Sequence, residues 1–205
     1  MSEIFQCPAD AVAVLVLAHG AGAGMRHRSM QAIADALERH GIGTLRFDFP
    51  FIREEKKRVD PPHVAVAEIE RAYAAAAART RLPIFVGGHS FGGRMATHAA
   101  AEGYIDPRGL VLCSFPLHAA GKPGTERARH LAEIRQPMLF VSGTRDALAE
   151  RVLLSKVVGA LPRAEIHWLE TADHGYRVRR RERASDEDVF DELARAVRAF
   201  VDRHR

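Results

Sequence analysis

The chain alternates between short apolar runs and longer amphipathic stretches. The first run, AVAVLVLA at residues 11–18, is continuously apolar, which is typical of a strand that is buried on both faces of a sheet. Similar runs predict strands at residues 43–49, 83–88, 109–115, 137–143 and 164–170. The stretches between them predict helices at residues 29–40, 63–79, 91–102, 148–160 and 187–203.

This alternation predicts an α/β fold with three layers. Strands and helices that follow one another strictly form right-handed βαβ units, so we expect a mainly parallel sheet of about six strands with helices on both faces. No internal repeat or long linker interrupts the pattern, and residues 1–205 are therefore interpreted as a single domain. Residues 116–125, PLHAAGKPGT, are the one irregular stretch and a candidate lid.

Composition and charge exclude several classes of protein. The fractions of 47% hydrophobic and 27% charged residues are those of a globular protein, and the net charge of +4 is only a weak sign of an anionic partner. The densest basic run, RVRRRER at residues 177–183, comes with no nucleic-acid-binding module and is interpreted as a solvated loop. The N-terminus shows no signal peptide, and no early apolar run is long enough to span a membrane.

The two cysteines, Cys7 and Cys113, provide neither a disulfide framework nor a zinc-ligand cluster. The cysteine content predicts a cytoplasmic protein that needs no metal. The composition and charge together predict that neither a membrane nor a nucleic acid is among its partners.

The stretch GGHSFGGRMA, at residues 87–96, joins a predicted strand to a predicted helix. A phosphate-binding loop needs a lysine and then a serine or threonine after its last glycine, but Arg94 and Met95 stand at those two positions. The earlier glycine-rich stretch, HGAGAGM, has Met25 where a dinucleotide-binding fingerprint requires a small residue. Nucleotide binding is therefore not favoured.

The same stretch contains the pattern G-x-S-x-G, which is typical of a nucleophile elbow. The tight turn that exposes Ser90 leaves no room for side chains two residues before or after it, and Gly88 and Gly92 stand at those positions. The helix that begins at Phe91 would direct its positive end towards the Ser90 hydroxyl.

A serine hydroxyl is a weak nucleophile and needs a base that is oriented by an acid. Asp146 follows the strand that ends near residue 143, and His174 follows the strand that ends near residue 169. The order serine, acid, histidine, with each residue on a loop after a strand, is the order found after a nucleophile elbow. We therefore predict a catalytic triad of Ser90, Asp146 and His174.

Other acids and histidines fit these roles less well. Asp173 directly precedes His174, so its carboxylate is badly placed to reach the far side of that ring, and Asp48 precedes the serine in the chain. His89 lies beside the serine and is interpreted as structural. His118 lies in the irregular loop and His130 just after it, and both remain candidates for lining a substrate pocket.

An oxyanion hole requires two backbone N–H groups. Phe91, directly after the serine, is predicted to supply one, and the loop HGAGAG is predicted to supply the other from Ala21 or, as the second choice, Gly22. Gly20 is predicted to contact the substrate, because a glycine lets the backbone approach a ligand closely. His118 is predicted to contact the substrate from the irregular loop.

Cationic residues are also expected near the mouth of this site. Arg26, Arg28 and Lys122 could favour anionic substrates there, or could simply be surface residues.

Taken in order, the segments LAHGAGAG, GGHSFGGRMA, VSGTRD and TADHGY resemble the α/β-hydrolase superfamily over nearly the whole chain. The chain most resembles the short dienelactone-hydrolase-like group of predicted hydrolases. It departs from true dienelactone hydrolases, which have a cysteine where this chain has Ser90. The resemblance implies a minimal fold, without the first strands of the full fold and without a cap domain.

The resemblance also implies a serine hydrolase with Ser90, Asp146 and His174 as its triad. From the residues we expect hydrolysis of a small acyl ester, or of a thioester or amide, through an acyl-enzyme and without a cofactor. Related proteins include a subunit of a chromatin-acetylation complex, so a catalytically silent interaction domain is the alternative. Such a domain is expected to have a broken triad, which this sequence does not have.

Overall fold

The computed structural model describes residues 3–205, and one sheet runs through this part of the chain. Its seven strands are β1 (Glu3–Gln6), β2 (Ala13–Ala18), β3 (Ile42–Phe47), β4 (Ile84–His89), β5 (Leu110–Cys113), β6 (Met138–Gly143) and β7 (Ala164–Leu169). They lie in the order β1-β3-β2-β4-β5-β6-β7. Strand β1 pairs antiparallel with β3, and every other pair is parallel.

Helices cover both faces of the sheet. They are α1 (Arg28–Arg39), α2 (Pro50–Arg53), α3 (Pro62–Arg79), α4 (Phe91–Ala101), α5 (Arg151–Gly159) and α6 (Val189–His204), with 3₁₀ helices at Glu126–Glu133 and Arg180–Glu182. On one face, α1 and α6 pack against apolar side chains such as Leu15 and Phe85, and on the other α3, α4 and α5 cover residues such as Val86 and Phe140. The parallel strands are buried from both sides, which is why their sequences are continuously apolar.

The structure confirms the predicted α/β fold, with no cap domain among the described residues, and adds two elements. The six predicted strands and five predicted helices are present, with ends that differ by up to three residues. Strand β1 and the short helix α2 were not predicted. Only four residues long and half polar, β1 lies at the edge of the sheet, where Phe5 remains 36% exposed. One antiparallel strand therefore precedes the parallel sheet, where the resemblance implied none.

The register brings the carboxyl ends of the parallel strands to one edge of the sheet. Ala18 pairs with Gly88, His89 pairs with Cys113, and Gly143 pairs with Leu169. Loops that follow these strands therefore meet at the same edge, which is where ligands bind in open α/β sheets.

A buried arginine connects the edge strand to this end of the molecule. Arg46 on β3 is 1% exposed, and its guanidinium donates hydrogen bonds to the Gln6 side-chain oxygen at 3.0 Å and to the Met25 carbonyl at 3.2 Å. A further bond joins Arg46 to the side-chain oxygen of Gln31, at 2.9 Å. Strand β1 thus supports the loop that follows β2.

The basic run at residues 177–183 is not a uniformly solvated loop. Arg183 has a side chain only 3% exposed and forms a salt bridge with Glu192, and Arg179 pairs with Glu182.

Among the described residues, no helix is long and apolar enough to cross a membrane.

Candidate active site

Ser90 stands on a sharp turn between β4 and α4. Its backbone has φ 51° and ψ −115°, a left-handed conformation that is uncommon for any residue with a side chain. A Cβ atom on Gly88, which has φ 154°, would lie 2.2 Å from the Ala18 carbonyl oxygen. One on Gly92 would lie 2.6 Å from the His19 carbonyl oxygen. Both positions therefore require glycine, as the elbow pattern predicts.

Ser90, His174 and Asp146 form a continuous hydrogen-bonded chain. The Ser90 Oγ atom lies 2.9 Å from His174 Nε2, and His174 Nδ1 lies 2.8 Å and 3.0 Å from the two carboxylate oxygens of Asp146. Because a carboxylate can only accept, Nδ1 carries the proton and Nε2 is left to accept from the serine hydroxyl. This geometry is that of a nucleophile, a base and an acid that orients the base.

Asp146 is buried and well held. Its side chain is fully enclosed, and its Oδ1 also accepts the Leu148 N–H at 2.8 Å. The neighbouring candidate, Asp173, instead accepts the N–H groups of Gly175 and Arg177, both at 2.9 Å, and so shapes the turn that carries His174.

Asp48, the other acid considered, supports the loop after β2. Its Oδ1 accepts the Met25 N–H at 2.7 Å and lies 3.6 Å from Nε2 of the buried His19. The His19 ring donates from Nδ1 to the Gly20 carbonyl at 2.8 Å and accepts the Phe49 N–H on Nε2 at 3.1 Å. Burial lowers the pKa of His19, which keeps the ring in the neutral form that these two bonds require.

The predicted oxyanion-hole residues lie on two segments, the loop after β2 and the start of α4, and only those of the loop line the cavity at Ser90. Ala21 and Gly22 are exposed residues that line the same cavity as the serine, as does Gly20. Phe91 is the first residue of α4, where backbone N–H groups have no partner within the helix.

His89 contributes to the site in a way that the sequence did not reveal. Its ring lines the cavity, and its Nε2 atom donates to the His174 carbonyl oxygen at 2.9 Å. The ring lies edge-on against Tyr176, with centroids 5.7 Å apart. Burial lowers the pKa of His89 to about 4, so the ring is neutral at neutral pH. No sequence motif could have indicated this bond, since its partner lies 85 residues away in the chain.

Two histidines that were candidates for the substrate pocket are engaged elsewhere. His118 is 4% exposed, donates from Nδ1 to the Ala119 carbonyl, and accepts the Glu150 N–H on Nε2. His130 donates to the Thr97 hydroxyl oxygen at 2.8 Å and stacks on His98. Neither lines the cavity at Ser90, and no residue of the candidate lid at 116–125 does so either.

The cavity in front of Ser90 has a volume of about 670 Å³. Its walls come from the loops that follow β2, β4, β6 and β7, and from the first residues of α1. Small and apolar residues, including Ala21, Ala23, Ala147 and Leu148, lie beside three arginines, Arg28, Arg145 and Arg177. Arg26 and Lys122, also considered at the mouth, do not line it.

Other reactive groups are placed away from this cavity. Cys113 is buried, and burial raises the pKa of its thiol to about 12, so the thiolate is not accessible at neutral pH. Across residues 3–205 no group of three or more histidine, cysteine, aspartate or glutamate side chains could hold a metal ion.

Comparison with known sequences gives two findings. The model of a family described as an alpha/beta hydrolase domain matches residues 11–202. Carboxymethylenebutenolidase from Pseudomonas putida is 30% identical over 95 residues, which cover 43% of this chain. The matched region spans only 36% of that relative's length.

Solved structures resemble nearly the whole chain. The ferulic-acid complex of Est1E from Butyrivibrio proteoclasticus has a TM-score of 0.75 at 16% identity and covers 99% of this chain and 94% of its own. A dienelactone hydrolase from Anabaena variabilis has a TM-score of 0.73 at 16% identity, with coverages of 98% and 91%. A serine hydrolase homologue from Coxiella burnetii has a TM-score of 0.72 at 18% identity, with coverages of 98% and 89%. At these identities the likeness is one of fold.

Proposed function

The chain belongs to the alpha/beta hydrolase domain family, and we propose that it cleaves carboxylic esters through an acyl-enzyme formed on Ser90. The observation that carries the proposal is the unbroken path from Ser90 Oγ to His174 Nε2 at 2.9 Å and from His174 Nδ1 to Asp146 at 2.8 Å. The same chemistry extends to thioesters and amides.

In the first half of the reaction, Ser90 Oγ attacks the carbonyl carbon and His174 Nε2 takes the hydroxyl proton. The Asp146 carboxylate holds the ring by its Nδ1–H and stabilises the imidazolium that forms. The carbonyl oxygen becomes an oxyanion, which the backbone N–H groups of Phe91 and Ala21, or Gly22 in place of Ala21, stabilise. The bond to the leaving alcohol then breaks, and the alcohol takes the proton from His174.

In the second half, water attacks the acyl carbon while His174 Nε2 takes a proton from it. The ester bond to Ser90 breaks, the carboxylic acid leaves, and the proton on His174 returns to the serine oxygen. His89 supports both halves, because its bond to the His174 carbonyl keeps the loop that carries the base close to the turn that carries the nucleophile.

A fluorophosphonate probe tests the proposal. It reacts with activated serines, so we expect one equivalent on the wild-type protein, located at Ser90 by mass spectrometry of its peptides. The variant Ser90→Ala is expected to stay unlabelled and to lose hydrolysis of p-nitrophenyl butyrate. Equal labelling of both proteins, or an unlabelled wild type, would contradict the proposal.

A further inference from the structure

Three arginines line the cavity in front of Ser90, and each comes from a different segment of the chain. Arg28 is the first residue of α1, Arg145 follows β6, and Arg177 follows β7. All three are exposed, and across the described residues none of them forms a salt bridge. The guanidinium of Arg145 donates only to a backbone oxygen, the Thr171 carbonyl, at 3.1 Å.

Elsewhere in the molecule, fewer than half of the arginines form salt bridges with acids. Arg39 pairs with Asp191 at 2.7 Å, and Arg195 pairs with Glu187 at 2.9 Å. At the cavity, Asp173 is the only carboxylate among the described lining residues, and its Oδ1 already accepts two backbone N–H groups. The described lining of the cavity therefore carries three guanidinium groups and one carboxylate, which is an excess of positive charge.

Arg28 lies at the N-terminal end of α1, where a positive charge destabilises the helix. It is the first helical residue of α1, and the first turn contains no acidic residue. Because the N-terminal end of a helix carries partial positive charge, anionic side chains are favoured there and cationic ones are unfavourable. A destabilising charge that faces a cavity indicates a role in binding rather than in folding.

We infer that the ester cleaved at Ser90 carries an anionic group, which the guanidinium groups of Arg28, Arg145 and Arg177 bind. The inference rests on the proposed function and specifies its substrate class. Guanidinium groups match the planar geometry of carboxylates and also bind phosphates, so the chemistry that they share is that of an oxyanion close to the scissile ester. The apolar lining beside them accommodates a short carbon chain.

Matched esters test this inference. Mono-p-nitrophenyl glutarate carries a carboxylate on its acyl part, and p-nitrophenyl valerate is a neutral ester of the same acyl-chain length. We expect kcat/KM to be at least about tenfold higher for the charged ester at low salt. Raising the salt concentration is expected to reduce this preference, because the arginines are exposed and salt screens them.

A second pair of substrates locates the charge. In 4-carboxyphenyl butyrate the carboxylate lies on the leaving group, and 4-carbamoylphenyl butyrate is its neutral counterpart. A preference for the charged ester in one pair only shows whether the arginines bind the acyl part or the alcohol part. Equal or higher kcat/KM for the neutral ester in both pairs would overturn the inference.

Single variants link the preference to the arginines. We expect Arg145→Gln and Arg177→Gln each to lower the ratio of charged to neutral kcat/KM by about fivefold. Arg181→Gln is the matched control, since Arg181 is exposed and lies in the same basic run but does not line the cavity. It removes the same net charge and is expected to leave the ratio unchanged. An equal fall in Arg181→Gln would mean that long-range attraction, and not binding in the cavity, causes the preference.

Arg28→Gln gives an independent readout of the third arginine. We expect it to lower the same ratio while raising the melting temperature by about 1–2 °C, because the unfavourable charge at the helix N-terminus is removed. A lower melting temperature together with an unchanged ratio would mean that Arg28 serves the fold and not the substrate.

Binding without turnover separates this inference from the proposed function. In Ser90→Ala, mono-p-nitrophenyl glutarate is expected to raise the melting temperature more than p-nitrophenyl valerate does. If wild type is labelled by the probe but no charge preference is found, the proposed function stands and the inference fails. If labelling fails while the charged ester still stabilises the protein, the cavity binds anions and the proposed function fails.

Discussion

Two neighbouring strands of the sheet are each followed by a serine with nearly the same positive φ angle. Ser90 after β4 has φ 51°, and Ser114 after β5 has φ 50°. Each donates its N–H to the next strand, Ser90 to the Cys113 carbonyl and Ser114 to the Val141 carbonyl, both at 2.8 Å. Both are followed by phenylalanine. In φ angle, backbone hydrogen bond and following residue, the two serines are alike.

Their surroundings differ in every respect that matters for catalysis. Ser90 opens into a cavity, faces His174 at 2.9 Å and begins a helix. Ser114 is fully buried, and its hydroxyl has no hydrogen-bond partner among the described residues. A strained turn at a strand end therefore does not make a nucleophile. The base and the open space come from loops that lie far away in the chain.

Replacing each serine by alanine is expected to separate the two most strongly. Ser90→Ala loses the proposed nucleophile, so kcat for ester hydrolysis should fall by about 10⁴-fold or more. Ser114→Ala should retain at least half of the wild-type kcat. Both are measured with p-nitrophenyl butyrate. A comparable loss of kcat in the two variants would contradict the assignment of Ser90 alone as the nucleophile.

Replacing Asp146, the proposed acid, tests whether it orients His174, the proposed base. Asp146→Asn replaces an acceptor-only carboxylate by an amide that favours the wrong tautomer of His174, so we expect kcat to fall by roughly 10³–10⁴-fold. Asp173→Asn is the control, because Asp173 accepts only backbone N–H groups. The assignment of the acid would have to be reversed if the control lost more activity.

The residue before each serine offers a finer test. His89 donates to the His174 carbonyl, whereas Cys113, its counterpart before Ser114, is buried and does not line the cavity. His89→Phe keeps a ring of similar shape but loses the donor, so we expect kcat to fall about tenfold with little change in KM. His89→Gln retains an N–H donor and is expected to recover most of that loss. No difference between Phe and Gln would mean that ring packing, and not the hydrogen bond, positions His174.

The same residue should shape the pH dependence of stability. Burial lowers the pKa of both His89 and His130 to about 4 from an ordinary value of 6.5. Between these two pH values the unfolded chain binds protons that the folded protein does not, so the free energy of unfolding falls as pH falls from 6.5 to 4. We expect His89→Gln and His130→Gln each to flatten this decline in denaturant titrations. A decline as steep as in the wild type for either variant would show that its histidine is not held neutral.

The smallest expected effect concerns stability at Ser114. Its hydroxyl is buried without a partner, which is costly, and Ser114→Ala removes the hydroxyl while leaving the backbone strain unchanged. We expect the free energy of unfolding to rise by about 1 kcal/mol in denaturant titrations. A clear loss of stability would indicate that the hydroxyl has a partner, and the contrast with Ser90 would then be weaker.

Much of the fold could be predicted because the parallel strands carry local signals. Doubly buried strands are continuously apolar, and the glycines at 88 and 92 are required by a turn that is itself local in sequence. Strand β1 gave no such signal, because four residues at a sheet edge are short, half polar and partly exposed. It is defined by its pairing with β3, which lies about forty residues further along the chain.

The candidate site could be predicted only as far as strand ends define it. The order of Ser90, Asp146 and His174 places three loops at one edge, and the structure brings these side chains within hydrogen-bonding distance. The direction of a side chain within a loop is set by packing, which sequence does not show. His118 was expected at the substrate, but both of its ring nitrogens are engaged by backbone groups. Arg145 and Arg177, which line the cavity, were not expected there.

The buried guanidinium of Arg46 links strand β1 to the loop after β2, although β1 itself does not line the candidate active site. Its bonds run from Gln6 on β1 to the carbonyl of Met25, close to the predicted oxyanion-hole residues. Proteolytic clipping after Gln6, or a bulky tag that pulls β1 away, would leave a buried cation short of an acceptor. We would then expect slower turnover at Ser90, which lies on the far side of β2 from Arg46. A thermal melt alone would show a loss of stability but not its effect on the site.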